Sequence, residues 1–437
     1  MEQFRIRGGA RGLRGTLTVP GDKSISHRAI ILGALADGLT EISRYLRSQD
    51  CQRTVEAARA LGVEVEGWEG EPLRILGKGF HGLREPAEVL DCGNSGTTMR
   101  LLTGVLAGQS FLSVLTGDAS LRRRPMDRII LPLKQMGAGI WGRARDTLPP
   151  LVVRGAGLRG LTYQSPFASA QVKSAILLAG LFAEGPTTVV EPALSRDHTE
   201  RMLDACGQRL ERGDRTVTLI PSAPLKGQRM SVPGDFSSAA FFLVAGLILP
   251  DSDLTLEGVG VNPTRTGLLE VLQAMGGAVE VLQEEESAGE PRARLRVRSS
   301  HLSGVEARGD LIPRLIDEIP VLAVAAACAE GKTIIRDAAE LRVKESDRIR
   351  AIAHELSRMG IATEELQDGL IIHGGISLQG ACCESYGDHR MAMALTVAGL
   401  RADGETTVLD TACIQTSFPG FVEIFQDLLP GTLRREA

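Results

Sequence analysis

AIILGALADGLTEISRY, residues Ala29–Tyr45, decides the fold, because its pattern returns five more times along the chain. An apolar stretch rich in Ala, Leu and Gly breaks at a small or acidic residue and continues as a run rich in Thr, Val and Ile. The same order is read in Leu101–Thr116, Ala175–Val190, Ala239–Leu256, Val321–Ile335 and Met391–Leu409. The copies start roughly 70 residues apart and fill nearly the whole chain, which marks a repeated supersecondary unit. The first part of each copy is apolar nearly all round and predicts a buried helix. The second part predicts a strand.

A second, amphipathic helical pattern follows in most copies and ends in Gly, as at Leu61-Gly62, Met136-Gly137, Cys206-Gly207, Met275-Gly276 and Met359-Gly360. Gly after the last turn is a C-cap signal. Alternation such as Ala278-Val279-Glu280-Val281 then predicts further strands. The class is α/β (α+β), with six units of helix and strand. Six units exceed one core, so they group three and three. Pro20-Gly21 and Pro233-Gly234 mark the crossings. One domain takes residues 21–235, and a discontinuous one takes 1–20 and 236–437. An N-terminal strand, about Phe4–Val19, is expected to join the second half.

Composition narrows the function. The 437 residues are 43% hydrophobic and 24% charged, as in a soluble globular chain, which excludes disorder and fibrous architectures. Aromatics make up 4% and the net charge is −5, so neither base stacking nor a basic field favours nucleic acid or an anionic membrane. The longest apolar run, Ala239–Leu249, is too short to span a bilayer. Arg5, Arg7 and Arg11 near the start have no apolar stretch behind them, so no signal peptide is expected. Seven Cys without a C-x-x-C pair predict reduced, mostly buried thiols in a cytoplasmic protein. No grouping has metal-ligand spacing, and neither G-x-x-x-x-G-K-[ST] nor a strand–helix G-x-G-x-x-G occurs.

The loops before the buried helices are small, polar and often cationic: Asp22-Lys23-Ser24-Ile25-Ser26-His27-Arg28, Asn94-Ser95-Gly96-Thr97-Thr98, Ser169-Ala170-Gln171-Val172-Lys173-Ser174, Asp235-Phe236-Ser237-Ser238, Asp317-Glu318-Ile319-Pro320 and Asp388-His389-Arg390. Capping explains any one of them. Their recurrence with Lys, Arg or Gln points to small anions at helix N-termini. Later loops add Arg122-Arg123-Arg124, Ser195-Arg196, Arg265 and Lys344-Glu345-Ser346-Asp347-Arg348. In Arg122–Arg124 a solvated face competes with one inward-pointing Arg. Asp317-Glu318 reads either as an N-cap or as a general base. Glu345 reads either as an i,i+3 partner of Arg348 or as a general acid.

These pieces, with Met99-Arg100, Gly117-Asp118-Ala119-Ser120-Leu121 and Arg124-Pro125-Met126, resemble in order and along essentially the whole chain the 3-phosphoshikimate 1-carboxyvinyltransferase (EPSP synthase) family. The resemblance implies a two-domain inside-out α/β barrel of six βαβαββ units, three per domain, with the active site in the interdomain cleft. It implies transfer of the enolpyruvyl group of phosphoenolpyruvate to the 5-hydroxyl of shikimate 3-phosphate, with release of phosphate. No metal or organic cofactor is implied, and glyphosate is the expected inhibitor of a cytoplasmic monomer.

By the same resemblance, Lys23, Ser24, Arg28, Ser169, Ala170, Gln171, Arg196, Asp317 and Lys344 hold shikimate 3-phosphate. Lys23, Asn94, Gly96, Thr97, Arg124, Gln171, Arg348 and Arg390 hold phosphoenolpyruvate. Asp317 is the implied base, and Glu345 and Lys23 are the implied proton-transfer groups, with the choice between them open. The cations would neutralise a substrate pair carrying roughly −5 to −6. One departure is Gln415, before Thr416-Ser417-Phe418-Pro419, where many relatives carry Lys. Leu101 stands where some relatives have Pro. The related UDP-N-acetylglucosamine 1-carboxyvinyltransferases use Asn after the first Lys and a loop Cys. Here Ser24 follows Lys23, and Gly117–Met126 holds no Cys.

Overall fold

The computed structural model describes residues 2–436. The chain forms two compact units. One comprises Met1–Pro20, Gly234–Glu285 and Pro291–Ala437, and the other Gly21–Pro233 with Glu286–Glu290. The short segment 286–290, at the tip of the hairpin joining Ala278–Ser287 to Glu290–Arg298, therefore clusters with the second unit.

Each unit repeats one motif three times. In the Leu90–Arg154 copy, strand Leu90–Asp91 runs parallel to Leu112–Thr116. That strand pairs antiparallel with Leu148–Arg154, which pairs antiparallel with Gly139–Gly142. The helix Gly96–Ala107 makes the crossover between the parallel strands, and Asp127–Gln135 precedes the antiparallel pair. All six four-stranded sheets share this order. The corresponding inner helices are Lys23–Leu35, Gly96–Ala107 and Ala170–Gly180 in one unit, and Phe236–Ile248, Ile319–Cys328 and His389–Arg401 in the other. Their side chains are buried almost throughout, as their all-round apolar sequences require. The second helices, such as Arg348–Arg358, bury one face.

The expected N-terminal strand is two strands. Gly9 and Gly12 adopt positive φ of 72° and 69° and turn the chain between Gln3–Arg7 and Arg14–Thr18. Gln3–Arg7 lies antiparallel between Glu405–Leu409 and Leu433–Glu436, completing the sixth copy. Arg14–Thr18 runs parallel to Asp253–Gly260 in the fourth. The other unit closes comparably, with Arg229–Ser231 parallel to Asp37–Ser43 of its first copy.

Inner helices approach backbone to backbone. A Cβ on Gly104 would lie 2.3 Å from the Ala175 carbonyl oxygen of the neighbouring helix. Buried Thr103 and Thr396 return their hydroxyls to the carbonyls of Met99 and Ala392. A further buried chain braces the helix starts. His27 Nδ1 lies 2.7 Å from Thr54 Oγ1, which lies 2.7 Å from Thr98 Oγ1, which donates to Ser95 Oγ at 2.7 Å. Burial, with Lys23 and Arg28 beside it, holds the His27 imidazole well below its ordinary pKa, so it is neutral. Because the folded value is depressed, its contribution is complete above the ordinary value near 6.5 and fades as pH falls below it.

Two outcomes follow. Gly104→Ala should lower stability by about 1–3 kcal/mol through helix separation, against about 0.5 kcal/mol or less for Gly157→Ala, where nothing lies within 4 Å of the new methyl. Denaturant titration of both variants checks this. Between pH 6.5 and 5, wild type should lose stability by up to about 1.4 kcal/mol per pH unit more than His27→Asn. Equal pH slopes for the two proteins would show that His27 is not the titrating group.

Candidate active site

The unit holding Gly21–Pro233 brings its predicted residues to the starts of its three inner helices. Asp22 caps the first, accepting from Ile25 N at 2.9 Å, and this places Lys23, Ser24 and Arg28 on its opening turns. Lys23 Nζ pairs with Asp50 Oδ2 at 3.0 Å. Arg28 is buried. Its Nε donates to Thr199 Oγ1 and one terminal nitrogen to Ser174 Oγ, both at 2.7 Å, while the other donates to the Ser24 carbonyl at 2.9 Å. Five N–H donors less three leave two for a ligand. Burial pulls the Arg28 pKa down to about 10, with Glu200 and Asp22 opposing and Arg196 adding to the fall, so it stays a cation at neutral pH.

Ser95 caps the second helix through Thr98 N at 3.1 Å, which sets Gly96 and Thr97 at its first turn. Arg124 reaches Asn94 Oδ1 at 2.7 Å, and Asn94 in turn donates to Asp118 at 2.7 Å. Of the three consecutive arginines, Arg122 and Arg123 are exposed and Arg124 is buried. The third helix begins differently. Ser169 occupies its N-cap position without capping it, and its hydroxyl makes no hydrogen bond among the described residues. Gln171 is fixed on both ends, accepting from Arg100 at 2.6 Å and donating to Thr97 Oγ1 at 3.0 Å. Ala170 and Arg196 are half-buried.

The other unit gathers Asp317, Lys344, Glu345, Arg348 and Arg390. Asp317 Oδ1 lies 3.5 Å from Lys344 Nζ and 3.4 Å from Arg348, its Oδ2 lies 3.9 Å from Arg390, and its carbonyl accepts from Arg390 at 3.1 Å. Glu318, at the cap of Ile319–Cys328, also makes no capping bond. It accepts from Ser237 and lies 3.6 Å from Arg265. Arg348 is held bidentately by Asp388 at 2.8 and 3.1 Å and by Glu345 at 2.7 Å. Burial alone would pull its pKa down, but Asp388, Glu345 and Asp317 more than reverse this and hold it above its ordinary value. Asp388 also caps His389–Arg401 through Arg390 N at 2.9 Å.

Three expectations change. Lys173, quoted among the loop cations, is buried inside an ion cluster with Glu191 and Glu200. Glu345 does pair with Arg348 at i,i+3, but from the loop before the helix, which begins at Arg348. The cations are not bare: Lys344, Arg348 and Arg390 face Asp317, Glu345 and Asp388, three charges against three, before Glu318 is counted. Sequence reasoning passed over Asp50 and gave no role to Arg100 or Asp118, although both of the latter sit inside quoted motifs. Asp50 carries no local signal, because it meets Lys23 only through the packing of two helices. Gln415 lies half-exposed in the short 3-10 turn Thr411–Thr416.

Comparison with known proteins identifies the family. The family described as EPSP synthase (3-phosphoshikimate 1-carboxyvinyltransferase) matches residues 8–425. The chain is 58% identical over 419 residues to the 3-phosphoshikimate 1-carboxyvinyltransferase of Desulforudis audaxviator, covering 96% of this chain and 98% of that one. It is 55% identical to the counterpart of Desulforamulus reducens over 95% and 97% of the two chains. Among solved structures, EPSP synthase from Acinetobacter baumannii superposes with a TM-score of 0.90 at 46% identity over the full length of both. The enolpyruvyl transferase NikO of Streptomyces tendae, 20% identical with a TM-score of 0.80 and covering 100% of this chain and 99% of its own, shares the fold. With the family pattern matched from residue 8 to residue 425, this chain belongs to the EPSP synthase family of 3-phosphoshikimate 1-carboxyvinyltransferases.

Proposed function

We propose that this chain transfers the enolpyruvyl group of phosphoenolpyruvate to the 5-hydroxyl of shikimate 3-phosphate, the reaction of its family in the shikimate pathway of aromatic amino acid biosynthesis, using the residues described above. Shikimate 3-phosphate takes Lys23, Ser24, Arg28, Ser169, Ala170, Gln171 and Arg196, with Asp317 and Lys344 on its ring side. Phosphoenolpyruvate takes Lys23, Asn94, Gly96, Thr97, Arg124, Gln171, Arg348 and Arg390. The observation that carries this assignment is the start of the helix Ala170–Gly180. Its cap leaves both the Ser169 hydroxyl and the first backbone N–H groups without a side-chain cap, one turn before the Ser174 hydroxyl that anchors Arg28.

The chemistry is addition followed by elimination. A proton reaches the methylene carbon of phosphoenolpyruvate, from Lys23 or Glu345, and the neighbouring carbon becomes electrophilic. The 5-hydroxyl gives its proton towards Asp317 and its oxygen bonds to that carbon, forming a ketal phosphate. Loss of the methyl proton and of phosphate restores the double bond. Asp317 suits the base by position, because Lys344, Arg348 and Arg390 around it orient its carboxylate. Arg348 is enclosed by carboxylates, and its loosest contact, the 3.4 Å one to Asp317, is the one a phosphate oxygen would replace. A monomeric, cytoplasmic enzyme is part of this reading. Among the described residues no helix is long and apolar enough to cross a membrane, which is compatible with it.

Glyphosate sensitivity belongs to the same reading. A Cβ on Gly96 would lie 2.8 Å from one Arg100 terminal nitrogen and 3.5 Å from one of Arg124. A methyl there makes the Arg100 guanidinium shift and rests in ordinary contact with that of Arg124, as well as filling space. Gly96→Ala should therefore weaken glyphosate more than phosphoenolpyruvate. The check is the inhibition constant of each protein set against its phosphoenolpyruvate KM, and equal losses would exonerate Gly96. For the base, Asp317→Ala should cut kcat by about 10²–10⁴ with phosphoenolpyruvate KM nearly unchanged. Steady-state kinetics showing a loss confined to KM would make Asp317 a binding group only.

A further inference from the structure

Lys173 ends in a cluster built for holding. Its ammonium is buried and donates to Glu191 Oε2 at 2.8 Å and the Ser195 carbonyl at 3.2 Å, and it pairs with Glu200 Oε1 at 2.7 Å. Three donors meet three acceptors. Ser195 adds its hydroxyl to the other oxygen of Glu191. Burial would pull the Lys173 pKa down, but Glu200 and Glu191 outweigh it, so the ammonium is retained.

The neighbours in sequence give this cluster its direction. Next to Lys173 stands Ser174, and next to Glu200 stands Thr199. The two helices Ala170–Gly180 and His198–Ala205 are thus joined twice, side by side, by the Lys173–Glu200 ion pair and the 2.7 Å Ser174–Thr199 hydrogen bond. Arg28 docks on those two hydroxyls. On the other side, the carbonyl that Lys173 holds belongs to Ser195, the residue immediately before Arg196. One buried ammonium therefore fixes the supports of both arginines.

We infer that Lys173 is a positioning residue for recognition of the phosphate group of shikimate 3-phosphate, acting through Thr199 and Ser174 on Arg28 and through Ser195 on Arg196. This rests on the assignment of Arg28 and Arg196 to that substrate. Of the phosphoenolpyruvate residues, Gln171 shares the helix with Lys173 but is held from outside the cluster by Arg100 and Thr97, and Asn94, Gly96 and Arg124 have no member in it, so the effect is selective for one substrate. The role is geometric. Three buried charges sum to −1, and that sum is kept if Lys173 and Glu200 are neutralised together.

The charge-balanced variant Lys173→Met with Glu200→Gln makes the test, alongside Lys173→Met alone and Arg28→Gln. Each is assayed for the KM of each substrate and for kcat, and thermal unfolding records folding. The expected result for the balanced variant is a shikimate 3-phosphate KM at least tenfold higher, a phosphoenolpyruvate KM within twofold and a kcat within threefold of wild type. Lys173→Met alone, which leaves two buried carboxylates facing each other, should unfold at lower temperature and show the same selectivity. If neither accumulates folded, Glu200→Gln alone should raise the shikimate 3-phosphate KM about threefold and leave the other unchanged. A folded variant with both KM values unchanged, or with both raised equally, overturns the inference. If Arg28→Gln leaves the shikimate 3-phosphate KM unchanged, the substrate assignment has failed rather than the role of Lys173.

Discussion

The approach of the helix Gly96–Ala107 to the helix Ala170–Gly180, so close that Gly104 has no room for a methyl against the Ala175 carbonyl, sets the positions of the groups around it. Helices pressed together at backbone distance cannot slide or rotate to suit a ligand, because interiors are packed like crystals. Their starts are then fixed points. Gln171 can bridge Arg100 and Thr97 across two helices only because the helix starts stand in register. Thr54, Thr98 and Ser95 tie a third element to the same place with hydroxyl contacts of 2.7 Å. The polar groups are rigid because the apolar ones beneath them are.

Electrostatically the clusters share a tendency: several of their enclosed cations already have an anion. Lys23 has Asp50, Lys173 has Glu191 and Glu200, and Arg348 has Asp388, Glu345 and Asp317. An unpaired charge in these positions would cost several kcal/mol of desolvation. Pairing removes that cost and makes anion binding an exchange of partners rather than a simple neutralisation. It also lets a chain of net charge −5 keep its cations oriented without a positive field over the whole surface. Arg28 differs, because its hydrogen-bond partners are hydroxyls and a carbonyl, which leave its charge available.

How much the sequence disclosed follows from which interactions are local. The six inner helices were legible because an all-round apolar stretch followed by a β-branched run has one physical meaning wherever it recurs. The helix-start loops were legible for the same reason, and Arg124 as the inward member of three arginines was among the alternatives. The division of Phe4–Val19 into two strands was not read, although Gly9 and Gly12 stand at the turn, because its cause is pairing with strands around residues 255 and 407. Lys173 looked like a loop cation because nothing near it in sequence announces Glu191 and Glu200. Asp50 was invisible to the same reasoning, since its partner stands 27 residues away.

Closure of each unit by a distant strand bears on synthesis at the ribosome. The unit built on Gly21–Pro233 receives its closing strand, Arg229–Ser231, long after its first helix, Lys23–Leu35, but still within one uninterrupted stretch of chain, so three sheets can assemble as soon as that stretch emerges. The other unit has no such freedom. Gln3–Arg7 emerges long before its partners Glu405–Leu409 and Leu433–Glu436. For most of translation that strand is an edge without a partner. Its alternation of buried Phe4 and Ile6 with Gln3, Arg5 and Arg7 puts a polar side chain on every second residue, two of them cationic, which discourages pairing with a neighbouring nascent chain during the wait.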